Sequence, residues 1–407
     1  MQNKSISRQV LLFWAPLALL GTSLYWQLLA RYAGLPPRVK QGSNDISIYH
    51  HAGEALLRGE VPYRDFFIEY PPGSLISFLP PALLSSDKVA YTGLFASEMA
   101  LVAVAALVLT ALTARKLWGP WAWIIPALTF TAAAIMLFHM ILARYDIVVA
   151  LTLSLAAFCA SRGAGYLFFA YASLGFGAAA KLVPALATLP LAFVRRQVAA
   201  RGYTVFCCVL VLLFAPALLL GGDGFLKSFS YHAERDLQVE SLAASVLMKL
   251  GWVSGTRFDF GGLEVRGRGV ELASSLSFLL TGALLLITAA VMYREYRRGR
   301  LGAEQYPRYA AALILAYMLG SKVLSPQYML WLLPLVPLVG RRLVRIGISA
   351  VFLAACGATR LVLEYYRDLL YLRFPGPDLV LVRNLLLVLL WGLLLFLVDK
   401  TSEQEAP

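Results

Sequence analysis

The sequence predicts an all-α, polytopic membrane protein, and three observations carry that prediction. Of the 407 residues, 59% are hydrophobic and only 14% are charged, where a water-soluble domain carries about 25%. Apolar runs recur from end to end, and a bilayer crossing needs about 20 such residues. The net charge of +13 comes from cations placed between those runs: Arg115-Lys116, Arg162, Arg195-Arg196, Arg201, Arg294, Arg297-Arg298, Arg300 and Arg341-Arg342. Short basic loops mark the cytoplasmic side of a membrane protein. The charge therefore reports orientation, and no nucleic-acid partner is expected. Residues 1–407 read as a single integral membrane domain.

The first span is expected over 10–30, leaving the cytoplasm after Lys4 and Arg8. It is too long for the apolar core of a leader and no A-x-A site follows, so it reads as a retained helix. Residues 31–88 then form a first outer loop. Segment 89–115 returns, 118–138 goes out, a polar knot spans 139–146, and 147–160 comes back. Segment 166–194 lies between two basic loops and must cross an even number of times, turning at Lys181 with Pro184 behind it. Segment 203–220 leads to a second outer loop, 221–269, and 270–293 returns. The hairpin pattern repeats at 309–339, broken by Lys322, Ser325, Pro326 and Gln327. Segments 346–362 and 379–398 complete about twelve spans. Both termini are then cytoplasmic, and the protein is expected in a bacterial plasma membrane with its site facing outside.

The four cysteines, Cys159, Cys207, Cys208 and Cys356, all lie in apolar runs, where cysteine acts as a small hydrophobe. No disulfide is expected. No Cys/His spacing points to a metal, and no cofactor is expected.

The outer loops hold most of the polar chemistry. In the first, Ile48, Ala52, Ala55 and Leu56 give a helical stripe after Ser43 or Asn44 as cap, which fits a helix lying in the membrane interface. Gly59 and Pro62 end it. Pro71-Pro72-Gly73 makes a rigid turn, and a second interfacial helix is expected over 74–84. Asp45 sits at the start of the first of these helices. It is either a general base at the membrane surface or a first-turn acid stabilised by the helix dipole. His50 and His51 are adjacent and so point to different faces; they are either substrate ligands or solvated interfacial residues. In the knot, Arg144-Tyr145-Asp146 places two ionisable groups at a membrane boundary, where such groups are costly and tend to be functional, unless snorkelling relieves the cost.

Lys181 and Lys322 occupy matching places at the two hairpin tips. Two lysines presented outward suit an anionic ligand such as a phosphate, or else act as interfacial anchors. The second outer loop brings His232, Glu234, Arg235, Asp236, Gln238 and Glu240 ahead of an expected interfacial helix over 241–250. The planar fork of Arg235 suits phosphate oxygens.

An ordered set of motifs now becomes visible. It runs Asp45-x-x-x-Tyr49, Gly59-Glu60-Val61-Pro62-Tyr63, Glu69-Tyr70-Pro71-Pro72, Lys181-Leu182-Val183-Pro184, Arg235-Asp236-Leu237-Gln238-Val239-Glu240-Ser241 and Lys322-x-x-Ser325-Pro326-Gln327-Tyr328-x-x-x-Trp331. Together these resemble the polyprenyl-phosphate-dependent membrane glycosyltransferases of the GT-C superfamily, nearest to glycosyltransferase family 87. The resemblance covers about 45–334 and rests on the order of the set, since no single motif is specific. It implies a GT-C fold and inverting transfer of a hexosyl or pentosyl unit, mannosyl among them, from a polyprenyl-phosphate donor. The acceptor is a hydroxyl on a glycolipid or cell-envelope glycan. The resemblance places the catalytic aspartate on Asp45, with either Asp65 or Glu69 as a second acid. Tyr49, His50, His51, Tyr70, Arg144, Asp146, Lys181, His232, Arg235, Glu240, Lys322, Gln327 and Tyr328 complete the candidate substrate site. Residues 360–377 carry no motif and are read as a wall of the acceptor site. A transporter or flippase of lipid-linked sugars is the rival class, since polar broken helices suit it; the long first outer loop, with no equivalent in the second half, argues for the enzyme.

Overall fold

Helices account for nearly all of the computed structural model, which describes residues 2–34, 44–259 and 261–402, with the side chains of 2–11, 44, 232, 233 and 397–402 outside the description. Six helices are long and apolar enough to cross a membrane: Leu12–Ala33, Lys88–Trp118, Arg196–Tyr231, Val270–Arg297, Arg342–Glu364 and Gly376–Phe396. They fall within α1 (Gln2–Ala33), α4 (Lys88–Trp118), α10 (Arg196–Glu234), α12 (Val270–Arg297), α15 (Arg342–Glu364) and α17 (Gly376–Ser402). The other expected crossings fall on shorter or broken helices: α5 (Ile124–Met136), α7 (Asp146–Arg162), α8 (Leu167–Ala180) with α9 (Thr188–Val194), and α13 (Tyr306–Gly320) with the turns that follow it. Helix α4 packs on α7, α7 on α8, and α8 on α10; on the other side α12 packs on α13 and α15 on α17.

The first long loop forms its expected helix, but the buried face differs from the expected stripe, with Ile48 and Leu56 only partly buried. Helix α2 (Asn44–Leu57) buries Ile46, Tyr49, Ala52 and Ala55. The second interfacial helix is split: residues Pro72–Ser77 form a 3-10 turn and only Leu79–Leu84 is α-helical (α3). Pro71, Pro72, Pro80 and Pro81 deny backbone donors to a continuous helix. Gly73 seats this turn on the last turn of α8, where a Cβ would lie 2.6 Å from the Ala179 carbonyl carbon. The polar knot contains a short helix, α6 (Phe138–Ala143), followed by extended Arg144.

Two features depart from the expected pattern. Helix α10 breaks at Gly222 (φ 50°), beside the expected end of its span at 220, and a further helical stretch that was not expected runs on to Glu234 within the second loop. That loop also holds a β-hairpin, β1 (Val253–Asp259) paired antiparallel with β2 (Gly262–Gly267). The Leu237–Val239 stretch adds to it: Val239 N–H donates to Leu263 O (2.8 Å) and Val265 N–H to Leu237 O (3.0 Å). Helix α11 (Leu242–Lys249) follows, with Ser241 Oγ accepting from Ala244 N–H. Leu237, Val239, Ala244, Leu247, Leu263 and Val265 close a small core of their own with Val362, Leu369 and Val380, which docks the loop onto α15, α16 (Tyr366–Leu370) and α17.

Candidate active site

A cavity of about 800 Å³ opens where the two long loops meet the two hairpin tips, lined by Asp45, Glu69, Tyr70, Arg144, Lys181, Arg235, Glu240, Lys322, Gln327 and Tyr328 among others. Ten expected site residues, drawn from six separate stretches of chain, thus share one space. Leu363 and Tyr366 line it as well, so residues 360–377 do supply part of a wall.

Asp45 enters from the first turn of α2 and is 8% exposed. The Arg144 guanidinium pairs with its carboxylate. Glu69 and Tyr70 come from the segment after the Pro62–Phe66 turn. Burial pushes the Glu69 carboxyl above its ordinary value, while its own backbone N–H, the Tyr70 hydroxyl and Arg235 act in the opposite direction.

Lys181 follows α8 directly, in an extended conformation. Its Nζ donates to Asp146 Oδ1 at 2.7 Å, and Trp331 Nε1 donates to the same oxygen at 2.9 Å. Three rings surround the ammonium group, with centroids at 5.2 Å (Tyr145), 5.4 Å (Trp331) and 5.5 Å (Tyr328). Asp146, 1% exposed, does not line the cavity; it fixes the two groups that do.

Gln238 ties the second loop to the second hairpin tip. Its Oε1 accepts from Leu324 N–H (2.9 Å), its Nε2 donates to Ser325 Oγ (3.1 Å), and its own N–H donates to Lys322 O (2.9 Å). Gly262 leaves room for Arg235, since a Cβ there would lie 2.6 Å from Nη2. Glu240 is held from behind: Arg383 Nη1 donates to Glu240 Oε2 at 2.8 Å, and Arg383 and Asn384 both donate to the Glu240 carbonyl. Arg383 and Asn384 are fully buried in α17 and were not among the expected site residues.

Several expected ligands lie elsewhere. Tyr49 is buried behind the cavity, stacked on Phe78 at 4.3 Å. His50 turns toward the start of α4, with Nε2 3.0 Å from Ser86 O and its ring 4.7 Å from Tyr91. His51 is exposed. Asp65 staples its own turn: it bonds Arg64 (2.9 Å) and accepts from Val61 N–H (2.7 Å), which hold its carboxyl down at about 2. Of the two candidate second acids, Glu69 therefore lies in the cavity and Asp65 outside it. The side chain of His232 lies outside the described residues. Among the described residues, no three His, Cys, Asp or Glu gather in a group fit to hold a metal ion.

Loops that close a cavity over broken helices, beside six helices long and apolar enough to cross a membrane, define a polytopic membrane protein. The chain belongs to glycosyltransferase family 87, whose family model matches residues 67–326, and this sets aside the transporter alternative. No curated protein matches. Two crystal structures of ArnT from Cupriavidus metallidurans share the fold. The apo form is 13% identical and covers 96% of this chain and 77% of its own, with a TM-score of 0.50. The form bound to undecaprenyl phosphate is 14% identical and covers 97% and 78%, also at 0.50.

Proposed function

We propose that the protein moves a sugar from a polyprenyl-phosphate donor to a hydroxyl of a glycolipid or cell-envelope glycan, with inversion at the sugar carbon, on the outer face of a bacterial plasma membrane. The observation that carries this reading is the convergence of three acids, Asp45, Glu69 and Glu240, and four cations, Arg144, Lys181, Arg235 and Lys322, on one cavity. The polyprenyl-phosphate donor is further supported by the undecaprenyl phosphate bound to the ArnT structure of similar fold.

The acceptor oxygen attacks the sugar carbon while the bond from that carbon to the phosphate oxygen breaks, its electron pair staying on the phosphate. The acceptor proton passes to Asp45, a positioned base of the kind that contributes about 10²–10⁴ in rate. The departing phosphate needs preorganised positive charge rather than a proton. Arg144 holds the base, so Lys181, Arg235 and Lys322 are assigned to the phosphate. Glu69 and Glu240 are assigned to acceptor or sugar hydroxyls.

Mass spectrometry of glycolipids and envelope glycans from a strain lacking the protein tests the assignment. The expected result is loss of one sugar from one glycan, restored by the wild-type gene and not by Asp45→Asn. Full restoration by Asp45→Asn, or an unchanged glycan profile, overturns it.

A further inference from the structure

A second cavity, of about 740 Å³, lies apart from the first and is lined by Ala192, Phe193, Arg196, Ala199, Tyr293, Tyr296 and Arg297. It sits where α9 ends, α10 begins and α12 ends. Those last two ends also terminate apolar spans, so the cavity stands at the boundary between bilayer and water, on the side the basic loops assign to the cytoplasm.

Its wall is built in two parts. Phe193 packs edge-on against Tyr296 with centroids 5.0 Å apart and lies 6.3 Å from Tyr293. Over these rings, Arg196 Nη1 donates to Tyr296 Oη and Arg297 Nη1 to Tyr293 Oη, each at 3.4 Å. Basic residues at a cytoplasmic boundary ordinarily extend into water. Both side chains are exposed here, and each guanidinium also bonds a tyrosine of the cavity through one of its five N–H donors. The acid nearest in sequence, Glu295, is buried and engaged with Arg294, Arg298 and Arg300, so it does not neutralise the pair.

We infer that this cavity binds a phosphate group at the cytoplasmic membrane surface, with Arg196 and Arg297 as its ligands and Phe193, Tyr293 and Tyr296 as its apolar floor. Guanidinium forks over an apolar floor suit the phosphodiester of an anionic phospholipid. The inference is independent of the reaction assigned to the outer cavity.

Native mass spectrometry of delipidated protein titrated with dioleoyl phosphatidylglycerol tests it. The expected result is saturable binding that Arg196→Gln/Arg297→Gln weakens by about tenfold. A charge-matched control, Arg201→Gln/Arg342→Gln, removes two exposed arginines outside the cavity and leaves binding unchanged. Competition by millimolar inorganic phosphate then identifies a site for the phosphate group alone, and lack of competition identifies the lipid. Equal binding of phosphatidylcholine, or equal loss in both double variants, overturns the inference.

Discussion

At the scale of the residue, the cavity works through pairs rather than single side chains. Asp146 shows this most clearly: its carboxylate holds both the Lys181 ammonium group and the Trp331 indole. Removing one partner of a buried ion pair leaves an uncompensated charge, at a cost of about 3–5 kcal/mol. Asp146→Asn should therefore lower the melting temperature in detergent and also weaken donor binding, measured by titration with polyprenyl phosphate. Lys181→Met in the same background should recover much of the stability but not the binding. Glu69 gives a pH signature. Its pKa is raised in the folded state by burial, so it stabilises the fold below the ordinary glutamate range and loses that contribution as pH climbs through its raised value. Glu69→Gln should accordingly flatten the fall in stability over that window, read as melting temperature against pH.

At the scale of the element, helices were legible and their joints less so. Helix α2 was legible from Ala52 and Ala55, although Ile46 and Tyr49 rather than Ile48 and Leu56 complete its buried face, and α11 was legible as the helix expected over 241–250. The β-hairpin was hidden because Val253–Asp259 alternates only weakly, with Gly255 in its midst. The Gly261-Gly262 turn was its one visible signal. Arg383 and Asn384 were overlooked inside an apolar run, although a charge at that depth marks a buried partner. That partner is Glu240, which Arg383 pins to the cavity wall. Arg383→Met should destabilise the protein by about 3–5 kcal/mol through the orphaned Glu240 charge. The double variant Glu240→Gln/Arg383→Met should lose less than the sum of the single changes, measured as a thermal double-mutant cycle. His50 and His51 do not line the cavity, because polarity in a helix says nothing of which face meets it.

At the scale of the whole molecule, the basic loops predict an orientation that places the cavity outside. A cysteine at Arg64, an exposed position on the first outer loop, should react with a membrane-impermeant thiol reagent in intact cells. Labelling only after lysis would reverse the topology. Five of the six stretches that meet at the cavity belong to the ordered set of motifs, and Arg144 lies outside it; the exact membership depended on side-chain directions that sequence does not encode. Transfer of a sugar in this cavity with Asp45 as the base is tested most directly by the turnover of a purified polyprenyl-phosphate sugar by the reconstituted protein, following polyprenyl phosphate release and the anomeric configuration of the product. Acceptor-dependent release with inverted configuration is expected, reduced by about 10²–10⁴ in Asp45→Asn. Retained configuration, or near-normal turnover by Asp45→Asn, would contradict it.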